Sequence, residues 1–168
     1  MTDWLYFRVY GTPGAQGSKR HVGRGILVES SNKVKPWRSD VKAAAETALP
    51  GDWTPYDGPI TVQVVFVFTR PKSHYGTGRN ADQIRDAAPT RPIGRNTGDL
   101  DKLQRSTFDA LTAAGVWADD SQITDVIAMK MYGRRPGALI SIGPAQTPIS
   151  LNGALDVLDQ DMAATAVT

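Results

Sequence analysis

The sequence predicts a small single α+β domain, a mixed β-sheet with two main helices packed on it. Three observations predict it. Residues 60–69, ITVQVVFVFT, are apolar on both faces, as a strand in the middle of a sheet must be. Two other stretches, 35–49 and 100–114, carry apolar residues at helical spacing and end at Pro50-Gly51 and Gly115. Shorter strand patterns surround them in the order strand, helix, strand, helix, strand, strand.

The first strand is 4–10, where Leu5, Phe7 and Val9 alternate with Tyr6, Arg8 and Tyr10. Residues 11–25 are rich in glycine and cations, with Lys19, Arg20, His21 and Arg24. They lack the spacing of a phosphate-cradling P-loop. On composition alone they read equally as a loop against a nucleic-acid backbone or as a solvated charge run. Residues 26–28 suggest a short strand. Lys35-Pro36-Trp37-Arg38 opens the first helix, whose stripe is Val41, Ala44, Ala45 and Ala48. Trp37 is assigned to the core, and Lys35 and Arg38 to phosphate contacts at the helix start.

Residues 71–97 have no hydrophobic period and carry Lys72, Arg79, Arg85, Arg91 and Arg95 against Asp82 and Asp86. A basic insertion of this length is either functional or disordered, and a short helix over 81–87 fits its composition. Residues 123–132 and 138–142 read as two strands joined by a hairpin turn over 133–137. The domain is expected to cover 1–143. Residues 144–168 hold three aspartates and no Lys or Arg, and read as a flexible acidic tail.

Cysteine is absent, which excludes disulfides and thiolate chemistry, and two histidines exclude a multi-histidine zinc site. No apolar run is long enough for a membrane span and no signal-peptide pattern opens the chain, which fits the cytoplasm. The net charge of +2 hides an asymmetry. Without the three tail aspartates, 14 acids face 19 bases, and six of the 14 lie between Asp99 and Asp125. A basic surface around one acidic stretch is the footprint of a phosphate-backbone partner.

That stretch, residues 98–125, reads GDLDKLQRSTFDALTAAGVWADDSQITD. Leu100, Leu103, Thr107, Ala110, Leu111 and Ala114 form one buried helix face. Asp99 and Asp101 stand before it, and Asp119 and Asp120 follow it. Singly, each aspartate reads as a cap or turn residue. Gathered carboxylates repel unless one takes a proton or a cation intervenes, and Mg²⁺ is the usual hard cation. Residues i and i+2 converge only in extended backbone, so Asp99 must precede the first helical turn if both aspartates bind one ion.

The whole pattern resembles the RusA family of crossover junction endodeoxyribonucleases, phage or prophage type. It does so in Asp99-Leu100-Asp101, Leu103-Gln104, Phe108-Asp109-Ala110-Leu111, Gly115, Trp117, Asp119-Asp120, Ile123 and Asp125. Gly11-Thr12-Pro13 and Gln16-Gly17-Ser18-Lys19-Arg20 extend the likeness toward the N-terminus. Lys102 stands where the family often has Asn, and Arg105 where it has a lysine. The resemblance implies a RusA-like fold and a homodimer that resolves four-way DNA junctions by paired nicks. It implies metal binding by Asp99, Asp101 and Asp120, with Mg²⁺ as the ion and Mn²⁺ as its substitute. Asp119 is then a secondary acidic residue, and Arg105 orients Asp101 or meets the scissile phosphate. Lys19, Arg20, Lys35 and Arg38 become DNA contacts. A non-catalytic protein that binds branched DNA is the alternative, and it would need the basic loops without the acids.

Overall fold

A computed structural model describes residues 4–17, 19–21, 27–29 and 32–145. Its frame is a four-stranded mixed sheet with two helices on one face. The strands are β1 (Leu5–Tyr10), β4 (Ile60–Phe68), β5 (Ile123–Tyr132) and β6 (Gly137–Pro144), and β2 (Lys19–His21) and β3 (Leu27–Glu29) pair as a separate ribbon. The helices are α1 (Val34–Ala48) and α2 (Leu100–Ala113).

The sheet order is β1-β6-β4-β5. β4 lies between β6, antiparallel to it, and β5, parallel to it, which is why both of its faces are apolar. Val62, Val64, Phe66 and Phe68 meet the helices, while Val65 and Val67 pack with Met129, Met131 and Leu139 on the other face. Trp37, Val41, Leu103, Leu111 and Trp117 fill the helix side of the core. The Trp37 indole donates to the Thr107 hydroxyl at 3.0 Å, so a polar bond between α1 and α2 is closed inside the core.

Two expectations change. Residues 133–136 are not a hairpin turn, because β5 and β6 are not neighbours; β4 separates them. The link crosses the end of β4 instead, and the Gly133 N–H bonds the Phe68 carbonyl at 2.9 Å. The apolar β4 gains more by covering both of its edges than by lying at a rim. Residues 81–87 form no helix. The loop 71–97 contains 3-10 turns at Lys72–His74, Gly78–Asn80 and Arg95–Thr97, and a narrow hairpin closed by the Tyr75–Ile84 bridge. The acidic tail from 146 onward lies outside the described residues.

Candidate functional site: the entrance of helix α2

α2 begins where Gly98 breaks the chain direction. Gly98 has φ +69° and ψ 173°, a region open in practice only to glycine, and a Cβ there would strike Ala15. Its carbonyl accepts from the Lys130 ammonium at 2.9 Å. The N-terminal segment straps the same entrance: the Gln16 N–H bonds the Lys102 carbonyl at 3.0 Å, and the buried Ser106 hydroxyl reaches the Gly14 carbonyl at 2.5 Å. The glycine-rich opening of the chain thus positions α2.

Asp99 occupies the N-cap position with extended backbone (φ −81°, ψ 145°), and Leu100 is the first helical residue. This is the arrangement required for Asp99 and Asp101 to converge. The Asp99 carboxylate does not cap the helix. It pairs with Lys102 at 2.6 Å, and the hydrogen bond and charge of Lys102, with the more distant charge of Lys130, hold its pKa below the ordinary carboxylate value. The Lys102 ammonium is correspondingly held above its usual value by Asp99, with a smaller part from Asp101. Asp101 is exposed, with no hydrogen-bond or ion-pair partner among the described residues.

Asp119 and Asp120 lie elsewhere. Asp119 caps the 3-10 turn Asp120–Gln122: its carboxylate accepts from the Ser121 N–H at 2.8 Å, which lowers its pKa, and Gln122 closes the box. The Gln122 amide also ties this turn to the carbonyls of Tyr56 and Gly58, ahead of β4. Ile123 then pairs with Ile60 at the start of β5, whereas Lys130 and the α2 entrance stand near its far end. At ~3.3 Å per strand residue, the two acidic pairs are on the order of 25 Å apart. Among the described residues, no three His, Cys, Asp or Glu side chains gather closely enough to hold a metal ion. The set Asp99, Asp101 and Asp120 therefore does not assemble around an ion within one chain.

The cations are also redistributed. Arg105 is exposed and does not bridge Asp101 and Asp109; Asp109 pairs with Arg38 of α1 at 3.3 Å. Arg38 thus has a partner within the fold, while Lys35 is exposed. The side chains of Lys19 and Arg20 lie outside the described residues. The loop 71–97 folds onto the α2-entrance end of the sheet. There Arg70 lies over the Tyr132 ring at 4.1 Å, His74 packs edge-on to it, and Arg91 reaches the Lys130 carbonyl at 3.4 Å. Arg79, Arg85 and Arg95 of this loop stay exposed. Sequence reasoning missed Lys130. Its signal was a lysine inside the apolar run of β5, in register with the buried Phe66 and so facing the helices.

Comparison with known proteins agrees with the likeness. The family described as Endodeoxyribonuclease RusA matches residues 11–143, most of the chain. The Crossover junction endodeoxyribonuclease rusA of Enterobacteria phage 82 is 49% identical over 45 residues, 27% of this chain and 38% of that protein. The RusA of Escherichia coli (strain K12) matches to the same extent. The match thus spans well under half the length of these curated relatives. The Uncharacterized protein YqaN of Bacillus subtilis (strain 168) is 28% identical over 142 residues, 83% of this chain and 96% of that protein.

Proposed function

The chain belongs to the endodeoxyribonuclease RusA family, and on that basis we propose that it is an endonuclease resolving four-way DNA junctions by paired symmetric nicks. The observation that carries this reading is the exposed acidic pair Asp99 and Asp101 at the α2 entrance, among cations. Lys102 and Lys130 stand beside Asp99, Arg105 lies one turn further along α2, and the basic 71–97 loop folds over the same end.

Hydrolysis of a phosphodiester needs an oriented water, an in-line approach and stabilisation of the leaving 3′ oxygen. The exposed cations, Arg105 of α2 and Arg79, Arg85 and Arg95 of the loop, neutralise the backbone phosphates and hold the strand against the entrance, while the Lys130 ammonium is turned inward to Gly98. Arg105 supplies a planar, permanently charged guanidinium for the scissile phosphate, which suits charge stabilisation and not proton donation. Lys102 lowers the Asp99 pKa further, and Asp101, exposed and without a hydrogen-bond or ion-pair partner among the described residues, is available to orient the attacking water. Mg²⁺ is the ion we expect the reaction to require, with Mn²⁺ as its substitute. No step is assigned to it, because one chain does not assemble the three carboxylates. The reaction takes place in the cytoplasm of a bacterial host, and no helix among the described residues is long and apolar enough to cross a membrane.

The working unit in this reading is a homodimer. A four-way junction needs matched cuts in two strands, and a two-fold pair of chains presents two equal sites to it. Among the described residues β5 is a rim strand with β4 on one side only, and Val126 near its middle is exposed. An open strand edge of that kind is a template for a second copy. Asp120 is exposed at one end of β5, so a two-fold contact along this rim would carry Asp120 of the partner subunit toward Asp99 and Asp101.

The test is a synthetic four-way junction incubated with the protein and Mg²⁺. Paired nicks at symmetry-related positions are expected. Asp99→Asn, Asp101→Asn and Asp120→Asn should each abolish cutting while leaving junction binding unchanged or tighter, since each removes a charge that repels phosphate. A variant that cuts at near the wild-type rate would remove its residue from the site. Binding by the wild-type protein without any cutting would favour a non-catalytic branched-DNA binder.

A further inference from the structure

We propose that Lys130 of β5 is a positioning residue for the cutting reaction: its ammonium sets the peptide plane that aims Asp99 at the substrate. The inference rests on the nuclease reading above and adds a residue outside the acidic motif.

Lys130 sits in an awkward place for a cation. It lies in the apolar run of β5, beside the buried Phe66 of β4, and is itself half-buried on the helix side of the sheet. An ammonium brought out of water costs free energy unless acceptors replace its hydration. Two acceptors do so here, and they are adjacent in the chain. The Gly98 carbonyl takes one N–H at 2.9 Å, and the Thr97 hydroxyl stands at 3.4 Å. Both belong to the turn that leads into α2.

The Gly98 carbonyl is not an arbitrary acceptor. It shares one planar peptide unit with the Asp99 N–H, so holding that oxygen fixes the plane from which the Asp99 side chain departs. The turn's own bonds are short-range: the Thr97 N–H to the Gly94 carbonyl at 3.0 Å, and the Gly98 N–H to the Arg95 carbonyl at 3.1 Å. Lys33, at the start of α1, donates to the Asn96 carbonyl at 3.3 Å, two residues earlier, and Lys130 is the side chain that holds the Gly98 carbonyl itself. Gly98 has no side chain and occupies a φ that other residues avoid, so its conformation must be imposed from outside. The Asp99 carboxylate makes no cap bond to the helix, and its ion-pair partner among the described residues is the half-exposed Lys102. The backbone therefore sets where the Asp99 side chain departs, and Lys130 clamps the carbonyl of the peptide unit that leads into it. The same lysine is tied at its other end to the basic loop, since its carbonyl accepts from Arg91 at 3.4 Å. Its ammonium is turned into the fold, toward Gly98, so its removal should disturb the reacting geometry and leave the grip on DNA in place.

The chain has no cysteine, which permits an atom-by-atom test. Lys130→Cys introduces a unique thiol. Alkylating it with bromoethylamine rebuilds an ammonium at the length of lysine, whereas alkylating it with bromopropane adds a neutral chain of similar size. Lys130→Cys and its propyl form should cut the junction between about tenfold and a hundredfold more slowly than wild type, the loss that a misplaced reacting group produces. The aminoethyl form should recover most of the rate. Junction affinity measured without metal should stay within about twofold in all three, so the loss falls on kcat. Hydrogen exchange at residues 98–103 should quicken in the propyl form while its melting temperature holds. If Lys130→Cys does not fold unmodified, it is alkylated in denaturant and refolded, and the two alkylated forms are compared.

Equal rates for the aminoethyl and propyl forms would overturn the proposal. A loss of affinity matching the loss of rate would make Lys130 a DNA contact and also overturn it. A propyl form that cannot fold would make Lys130 a residue of the fold alone, with the same result. Wild-type protein that binds the junction without cutting it in Mg²⁺ or Mn²⁺ would instead overturn the nuclease reading, and this inference with it.

Discussion

Asp99 stands in the position of a helix cap but points its carboxylate at Lys102, and this pairing shifts its titration. The Lys102 hydrogen bond, then its charge, hold the Asp99 pKa below the ordinary 3.8. A carboxyl whose folded pKa is depressed contributes stability above its unfolded value, and that contribution disappears as pH falls through the folded value. The pair lies at the solvent-facing surface, where water screens it, so its effect is on titration at the site and not on the fold. Lys102→Met should return the Asp99 titration upward, toward 3.8, in a carbon-detected NMR pH series. An unmoved titration would show that Lys102 does not control Asp99. Asp119 shows the opposite outcome for a similar residue: its carboxylate is spent on the Ser121 N–H.

Helix α2 begins and ends on glycines of different kinds. Gly115 has φ +74° with nothing within 4 Å of where a Cβ would sit, as a helix terminator in open space does. Gly98 combines φ +69° with a clash against Ala15, so it is constrained by both conformation and packing. Gly98→Ala should therefore cost more than Gly115→Ala, with the strained backbone alone worth ~1–3 kcal/mol. It should also slow junction cutting, because the Gly98 carbonyl is tied to Lys130 beside Asp99. Denaturant midpoints and cutting rates of the two variants check this. Equal losses at both glycines would mean that the entrance tolerates a side chain and that Ala15 yields. β5, by contrast, offers an open rim, with Val126 42% exposed. Val126→Asp, checked for retained fold by circular dichroism, should give monomers by ultracentrifugation. A variant that stays dimeric would place the proposed two-fold contact elsewhere than β5, and a wild-type protein that is itself monomeric on the junction would remove the proposed dimer.

The folded chain concentrates positive charge at the end of the sheet where α2 starts. Each phosphate neutralised there releases counterions, so junction affinity should fall steeply with salt. Replacing Arg79, Arg85 and Arg95 together by alanine should flatten the slope of log affinity against log salt by ~0.9 for each phosphate that these arginines neutralise. An unchanged slope would remove the 71–97 loop from the DNA surface. Arg38 should contribute less than its place at the start of α1 suggests, because Asp109 already engages it.

Local rules were enough to place both helices, the central strand and Asp99 ahead of the first helical turn. Those rules are hydrophobic period, glycine and proline stops, and the extended backbone that lets residues i and i+2 converge. The family likeness was legible for a related reason, since the motif residues 98–125 are contiguous. Residues 133–137 read as a hairpin because nearby strands usually pair, and only the sheet order put β4 between them. Asp101, Arg105 and Asp109 are spaced for one helix row, while packing of α1 on α2 gave Asp109 to Arg38. The separation of Asp120 from Asp99 and Asp101, and the approach of Lys130 to Gly98, were decided by tertiary structure alone. α2 and β5 run back along each other, so residues close in the chain end at opposite ends of the sheet. Residues 32 apart meet at the helix entrance instead.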